Sequence, residues 1–149
     1  MRFKCTPGSF PANPVPGSST SKRRTKPGTQ TLQIWVDGAA RGNPGPSGVG
    51  AVGLDGSGKK LFEVSAYIGE TTNNVAEYCA LICALQQAQR LGRTQASVFT
   101  DSQLLARQVN GEYKVKDKQL QWLSALVQNL LEGFHNFRIQ SIPRVLPLK

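Results

Sequence analysis

The sequence is short of several things at once. Its 149 residues include three cysteines, one histidine and one methionine. Cys5, Cys79 and Cys83 are odd in number and make no disulfide framework, which fits a reducing compartment. Cys79 and Cys83, four apart in a helical pattern, lack the second Cys or His pair that a zinc site needs. No segment approaches the roughly 18 consecutive apolar residues of a membrane-spanning helix. The first thirty residues hold no unbroken apolar stretch of the secretory kind. A cytoplasmic protein with no membrane partner is therefore expected. Acid is scarce as well, with nine Asp and Glu against eighteen Lys and Arg, for a formal charge of +9.

That charge is unevenly spread. Residues 1–30 hold Arg2, Lys4, Lys22, Arg23, Arg24 and Lys26 and no acid, together with Pro7, Pro11, Pro14, Pro16 and Pro27 among Gly and Ser. Such a stretch cannot bury enough apolar surface to offset its ordering entropy, and a disordered basic arm is expected there. The cluster from Lys22 to Lys26 attracts phosphates by counterion release without selecting one polyanion over another. A solvated linker or a targeting remnant is the competing reading. Residues 31–149 are left as one domain of ordinary size. With 39% apolar residues and a mean hydropathy of −0.30 over the chain, a core can form.

The domain begins with Thr31 to Asp37 (TLQIWVD), short, β-branched and aromatic, and thus a strand. Asp37-Gly38 opens a run through Gly42, Pro44, Gly45, Pro46 and Gly48 that is expected to turn. Gly48 to Leu54 alternates small and branched residues. Asp55 to Gly58 (DGSG) signals a hairpin into a third strand over Lys60 to Ile68. From Asn74 to Leu91, Val75, Tyr78, Cys79, Ile82, Leu85 and Ala88 recur at helical spacing, with Gly92 placed for a left-handed cap. Ala96 to Thr100 reads as a buried strand. Asp101 or Ser102 caps a helix that carries Leu104, Leu105 and Val109 to Gly111. The stripe Leu120, Leu123, Leu126, Val127, Leu130 and Leu131 marks one more helix, and Phe137 to Ile142 a last strand. The order β-β-β-α-β-α-α-β predicts an α/β fold: a mixed five-stranded sheet, three antiparallel strands then two parallel, flanked by helices.

Three carboxylates fall at telling places in that scheme: Asp37 at the end of the first strand, Glu77 early in the long helix and Asp101 at the end of the fourth strand. Acids at buried strand ends are costly unless something compensates them. If these converge, a divalent cation is the usual neutraliser. Taken singly, each has a plain alternative, with Asp37 capping a turn, Asp101 capping a helix and Glu77 facing water.

Their surroundings decide between the readings. Asp37 opens Asp37-Gly38-Ala39-Ala40-Arg41-Gly42-Asn43-Pro44-Gly45, Glu77 ends Thr71-Thr72-Asn73-Asn74-Val75-Ala76-Glu77, and Asp101 stands in Thr100-Asp101-Ser102-Gln103. In this order and spacing the three motifs resemble the type 1 ribonuclease H family, in particular its compact bacterial and archaeal members. Asn110 to Val115 and Ile142-Pro143-Arg144 look similar too. The resemblance covers about residues 31–144. It implies a ribonuclease H-like fold and endonucleolytic hydrolysis of the RNA strand of an RNA–DNA hybrid by two Mg2+ ions, with Mn2+ as a substitute. By motif match Asp37 bridges both ions, Glu77 and Asp101 bind one each, and Glu77 accepts a hydrogen bond from the ribose 2′-OH. Asn43, Asn74 and Gln103 match positions that contact the hybrid in its minor groove, and Thr72 a contact to the DNA phosphate. A monomer acting on the hybrid is expected.

The family pattern would continue past Arg144 into a helix bearing a fourth metal-binding aspartate. Here the sequence reads Val145-Leu146-Pro147-Leu148-Lys149, and no acid follows Glu132. The fold is thus expected without the usual C-terminal helix. Two functions stay open on this ground: an enzyme with reduced activity, and a hybrid-binding module of the same fold that does not cleave. His135 precedes the last strand and is read as a surface residue. Gly45, Gly48 and Gly50 lack the Lys-Ser/Thr ending of a P-loop. Lys114, Lys116 and Lys118 either touch the DNA backbone or face solvent.

Overall fold

A computed structural model describes residues 31–143. The basic arm at 1–30 and the stretch 144–149 lie outside the described residues. The elements are β1 (Leu32–Ala40), β2 (Gly45–Leu54), β3 (Lys60–Thr71), α1 (Asn73–Arg90), β4 (Gln95–Thr100), α2 (Gln103–Val109), α3 (Lys118–Leu131) and β5 (Asn136–Ser141). They follow the predicted order. The sheet order is β3-β2-β1-β4-β5. β1–β2 and β2–β3 pair antiparallel, and β1–β4 and β4–β5 parallel.

Strand alternation assigns the two faces. Leu32, Ile34 and Val36 of β1, Val49 and Ala51 of β2, Val64 of β3, Ala96 and Val98 of β4 and Ile139 of β5 are buried on the helix side. Fully burying one of these Leu, Ile or Val side chains is worth about 1.5–3 kcal/mol. Against them lies α1, whose Ala80, Ala84 and Ala88 are completely buried. Side chains this small let the helix axis sit close to the strands. α3 runs alongside α1 in the same direction. Ser124 is bonded to the Tyr78 hydroxyl toward one end, and Gln89 Nε2 donates to the Leu130 carbonyl at 2.8 Å toward the other. Leu120 and Val127 supply its buried stripe.

The helix starts follow capping chemistry. Thr72 accepts from Val75 N at 3.3 Å, Ser102 from Leu105 N at 3.0 Å, and Asp117 from Gln119 N at 2.8 Å. Of the two candidates before α2, Ser102 is the cap, and Asp101 is left for other use. Gly92 takes φ of +75° just past α1, as expected of a left-handed cap.

One expectation needs correction. β1 does not end at Asp37 but runs on to Ala40, and β2 starts at Gly45, so the connection shrinks to 41–44. Gly38, Ala39 and Ala40 pair with Val49, Gly48 and Ser47. Arg41 N donates to the Pro46 carbonyl at 2.8 Å to close the loop. Glycines that read as turn signals here serve a tightly packed ladder, a choice that only the neighbouring strand and helix impose.

Candidate active site

The parallel register of β1 and β4 pairs Gln33 with Ser97 and Trp35 with Phe99. Two residues beyond Trp35 in β1 stands Asp37, and two beyond Phe99, just past the last residue of β4, stands Asp101. Sheet periodicity thus brings two acids 64 positions apart in sequence to one level. The rings of Trp35 and Phe99 stack beneath them with centroids 5.0 Å apart and planes 27° from parallel. This pair props the two strands at the row below the acids.

Glu77 arrives from the helix layer. Gly38 faces the start of α1, where a Cβ would fall on the backbone carbonyl of Ala76 and come within 2.6 Å of Glu77 N. Only a residue without a side chain lets helix backbone approach strand backbone this closely. The next side chain on the helix is the carboxylate of Glu77. One carboxylate oxygen from each of Asp37, Glu77 and Asp101 lies within 4.8 Å of the others. Asp37 is exposed, the other two are half-buried, and Glu77 Oε1 is out of contact with solvent. Three like charges gathered this tightly repel, and each favours a cation among them. An all-oxygen set of this kind suits a hard divalent ion such as Mg2+ that keeps some of its waters.

Two open clefts meet at Asp37. One, of about 490 Å³, runs over Trp35, Val52, Phe99, Asp101 and Ile142. The other, of about 460 Å³, crosses the glycine floor of Gly48 and Gly50 between Arg41 and Ser65.

The remaining predicted residues fall around this point. Asn43 sits in the loop after β1, and its Oδ1 accepts from Asn73 N at 3.0 Å. Thr72 is the N-cap of α1. Asn74 is exposed in the first turn of α1, three residues before Glu77, and Gln103 is exposed at the first position of α2, two residues past Asp101. Asn73 has a structural part that the sequence motif does not assign. Its Oδ1 accepts from Ala40 N at 2.7 Å, joining the end of β1 to the start of α1. The doubled Asn-Asn before the helix was the only sequence signal for it. Lys114, Lys116 and Lys118 are exposed. His135 is exposed too, and its backbone N donates to the Thr94 carbonyl at 2.8 Å, just before β4 begins. That is the end of the sheet away from the acids.

Comparison with known proteins agrees with this architecture. Residues 35–145 match the family model described as reverse transcriptase-like. The chain is 41% identical over 113 residues to ribonuclease HI of Halobacterium salinarum, covering 76% of this chain and 57% of that protein. It is 43% identical over 112 residues to the bifunctional protein Rv2228c of Mycobacterium tuberculosis, of which it spans only 31%. The solved N-terminal RNase H domain of that mycobacterial protein superposes with a TM-score of 0.75 at 42% identity, covering 76% of this chain and 88% of that one. LC11-RNase H1, solved in complex with an RNA/DNA hybrid, gives a TM-score of 0.72 at 47% identity, covering 76% and 86%. A five-stranded sheet in this order, an acid trio at its centre and matches of this extent have one common explanation: the chain belongs to the type 1 ribonuclease H family.

Proposed function

We propose that this chain is an endoribonuclease that hydrolyses the RNA strand of RNA–DNA hybrids with two divalent metal ions, Mg2+ or Mn2+, held by Asp37, Glu77 and Asp101. The observation that carries the reading is the approach of these three carboxylates to within 4.8 Å of one another. The hybrid bound to LC11-RNase H1 supports the substrate class. Bound between such carboxylates, divalent ions supply a nucleophilic water at neutral pH and neutralise charge gathering on the attacked phosphate.

The chain's own groups do the rest. Asp37, which lines both clefts, would be shared by the two ions, with Glu77 and Asp101 each holding one. Glu77 also accepts from a ribose 2′-OH, the group that separates RNA from DNA. Asn43 has its Oδ1 committed to Asn73 N, so its amide N–H groups are left to donate to minor-groove acceptors. Asn74 and Gln103 read the same groove from the starts of α1 and α2. The Thr72 hydroxyl accepts from Val75 N and keeps its proton to donate to a DNA phosphate. None of these adds charge beside the metals.

The test is incubation of the full chain with a labelled hybrid in Mg2+, in Mn2+ and in chelator. Metal-dependent cleavage of the RNA strand is expected, reduced about 10²–10³-fold by Asp37→Asn or Asp101→Asn, the size of loss when a main stabiliser of transition-state charge is removed. Full activity in either variant, or hybrid binding with no cleavage in any metal, refutes the proposal.

A further inference from the structure

Resting on the ribonuclease reading above, we propose that Asn73 is a positioning residue, whose side-chain carbonyl clamps the end of β1 to the start of α1 and thereby sets the spacing between Asp37 and Glu77. Ala40 N donates to Asn73 Oδ1 at 2.7 Å. Asn73 N donates to Asn43 Oδ1 at 3.0 Å. One residue therefore ties together β1, the 41–44 loop and the first turn of α1.

The placement gives this clamp its leverage. Asp37 lies three residues before Ala40, and Glu77 lies four residues after Asn73, one helical turn away on the same helix face. Between the two acids, Gly38 allows the backbones of β1 and α1 to touch but does not hold them together. Contact at Gly38 prevents the helix from moving inward. The Asn73 bond prevents its first turn from swinging outward, where the distance from Asp37 to Glu77 would grow.

Asn73 is exposed. Its loss empties no cavity, and a hydrogen bond between solvent-accessible groups adds little to global stability. The effect of losing it should appear in metal binding and turnover rather than in folding. Residues that orient ligands from behind usually change affinity or activity by about 10–100-fold.

Three measurements on the full chain test the clamp: Mn2+ binding by calorimetry without substrate, steady-state hybrid cleavage, and thermal unfolding in chelator. Asn73→Ala should weaken Mn2+ binding and lower kcat by about tenfold each, within that orienting range, while KM and the unfolding temperature move little. Asn73→Asp keeps the acceptor for Ala40 N and should restore kcat to near the wild-type value. Unchanged Mn2+ affinity in Asn73→Ala overturns the clamp, as does a loss confined to KM or an Asn73→Asp variant as impaired as Asn73→Ala. If the wild-type chain itself neither binds Mn2+ nor cleaves, the ribonuclease reading fails and takes the clamp with it. A competent wild type with an indifferent Asn73→Ala sinks the clamp alone.

Discussion

At the scale of single residues, what matters most is where a side chain is missing or capped by a partner. Gly38 leaves no room for a Cβ against Ala76. Gly38→Ala must push the helix start away from β1, and an overpacking cost of about 1–3 kcal/mol is expected in urea unfolding. Gly50 is the control. It also neighbours Asp37, but its added Cβ would meet the Val64 carbonyl at an ordinary 3.7 Å. Gly50→Ala should stay within about 0.5 kcal/mol of wild type. Equal losses in the two variants would show that the close approach at Gly38 has no energetic weight.

Tyr78 is the other telling residue, 1% exposed, with its hydroxyl donating to Gln108 Oε1 at 2.8 Å. Burial raises its pKa above the ordinary 10.0, partly opposed by the hydrogen bond from Ser124. A folded-state pKa raised above the unfolded one means that the unfolded chain loses its proton first. The contribution of Tyr78 is therefore complete below pH 10.0 and declines as pH climbs above it. Tyr78→Phe should cost about 1 kcal/mol near neutrality, the net worth of a typical hydrogen bond. It should also flatten the fall in stability on the alkaline side. Denaturant melts between neutral and alkaline pH check both, and an unaltered alkaline slope would remove Tyr78 from the account.

At the scale of elements, α1 carries both the core and the site. Its buried residues run from Val75 to Ala88, and one turn in from its start it presents Glu77. Thr72 serves this helix twice on our reading, as the N-cap that accepts from Val75 N and as a phosphate donor. Thr72→Ala should cost about 1 kcal/mol of stability, as N-cap losses do, and raise the KM for the hybrid. Thr72→Ser should recover both quantities. A variant Thr72→Ala that loses stability with KM unchanged would leave the cap and remove the phosphate contact. The long helix, its left-handed Gly92 cap and the Asp55–Gly58 turn were legible in the sequence because they depend on residues close along the chain. The true length of β1 and β2 was not. Glycine and proline between Gly38 and Gly48 signal a turn locally, and only pairing across the hairpin and contact with α1 turn most of that run into strand.

For the whole molecule, the governing quantity is the distribution of charge. The acid trio sits in a chain of net charge +9, with six of its eighteen cations in residues 1–30. If that arm engages the phosphate backbone, deleting it should weaken hybrid binding at low salt, and the two proteins should converge as salt rises. Binding curves across a salt series check this, and a deficit that persists unchanged at high salt would rule out counterion release as the cause. Among the described residues no helix is long and apolar enough to cross a membrane.

Sequence by itself was sufficient for the element order, the caps at Gly92 and Ser102 and the choice of the three acids as candidates, because periodicity, capping and motif spacing are short-range properties. Whether those acids meet was a different matter. Asp37 and Asp101 are levelled by a parallel register, and Glu77 is admitted by the bare backbone of Gly38. The tie from Asn73 to Ala40 spans 33 positions and involves an amide marked locally by nothing beyond the doubled Asn-Asn before the helix. Contacts of this kind depend on strands and helices docking around a shared core, so only the tertiary structure could decide them.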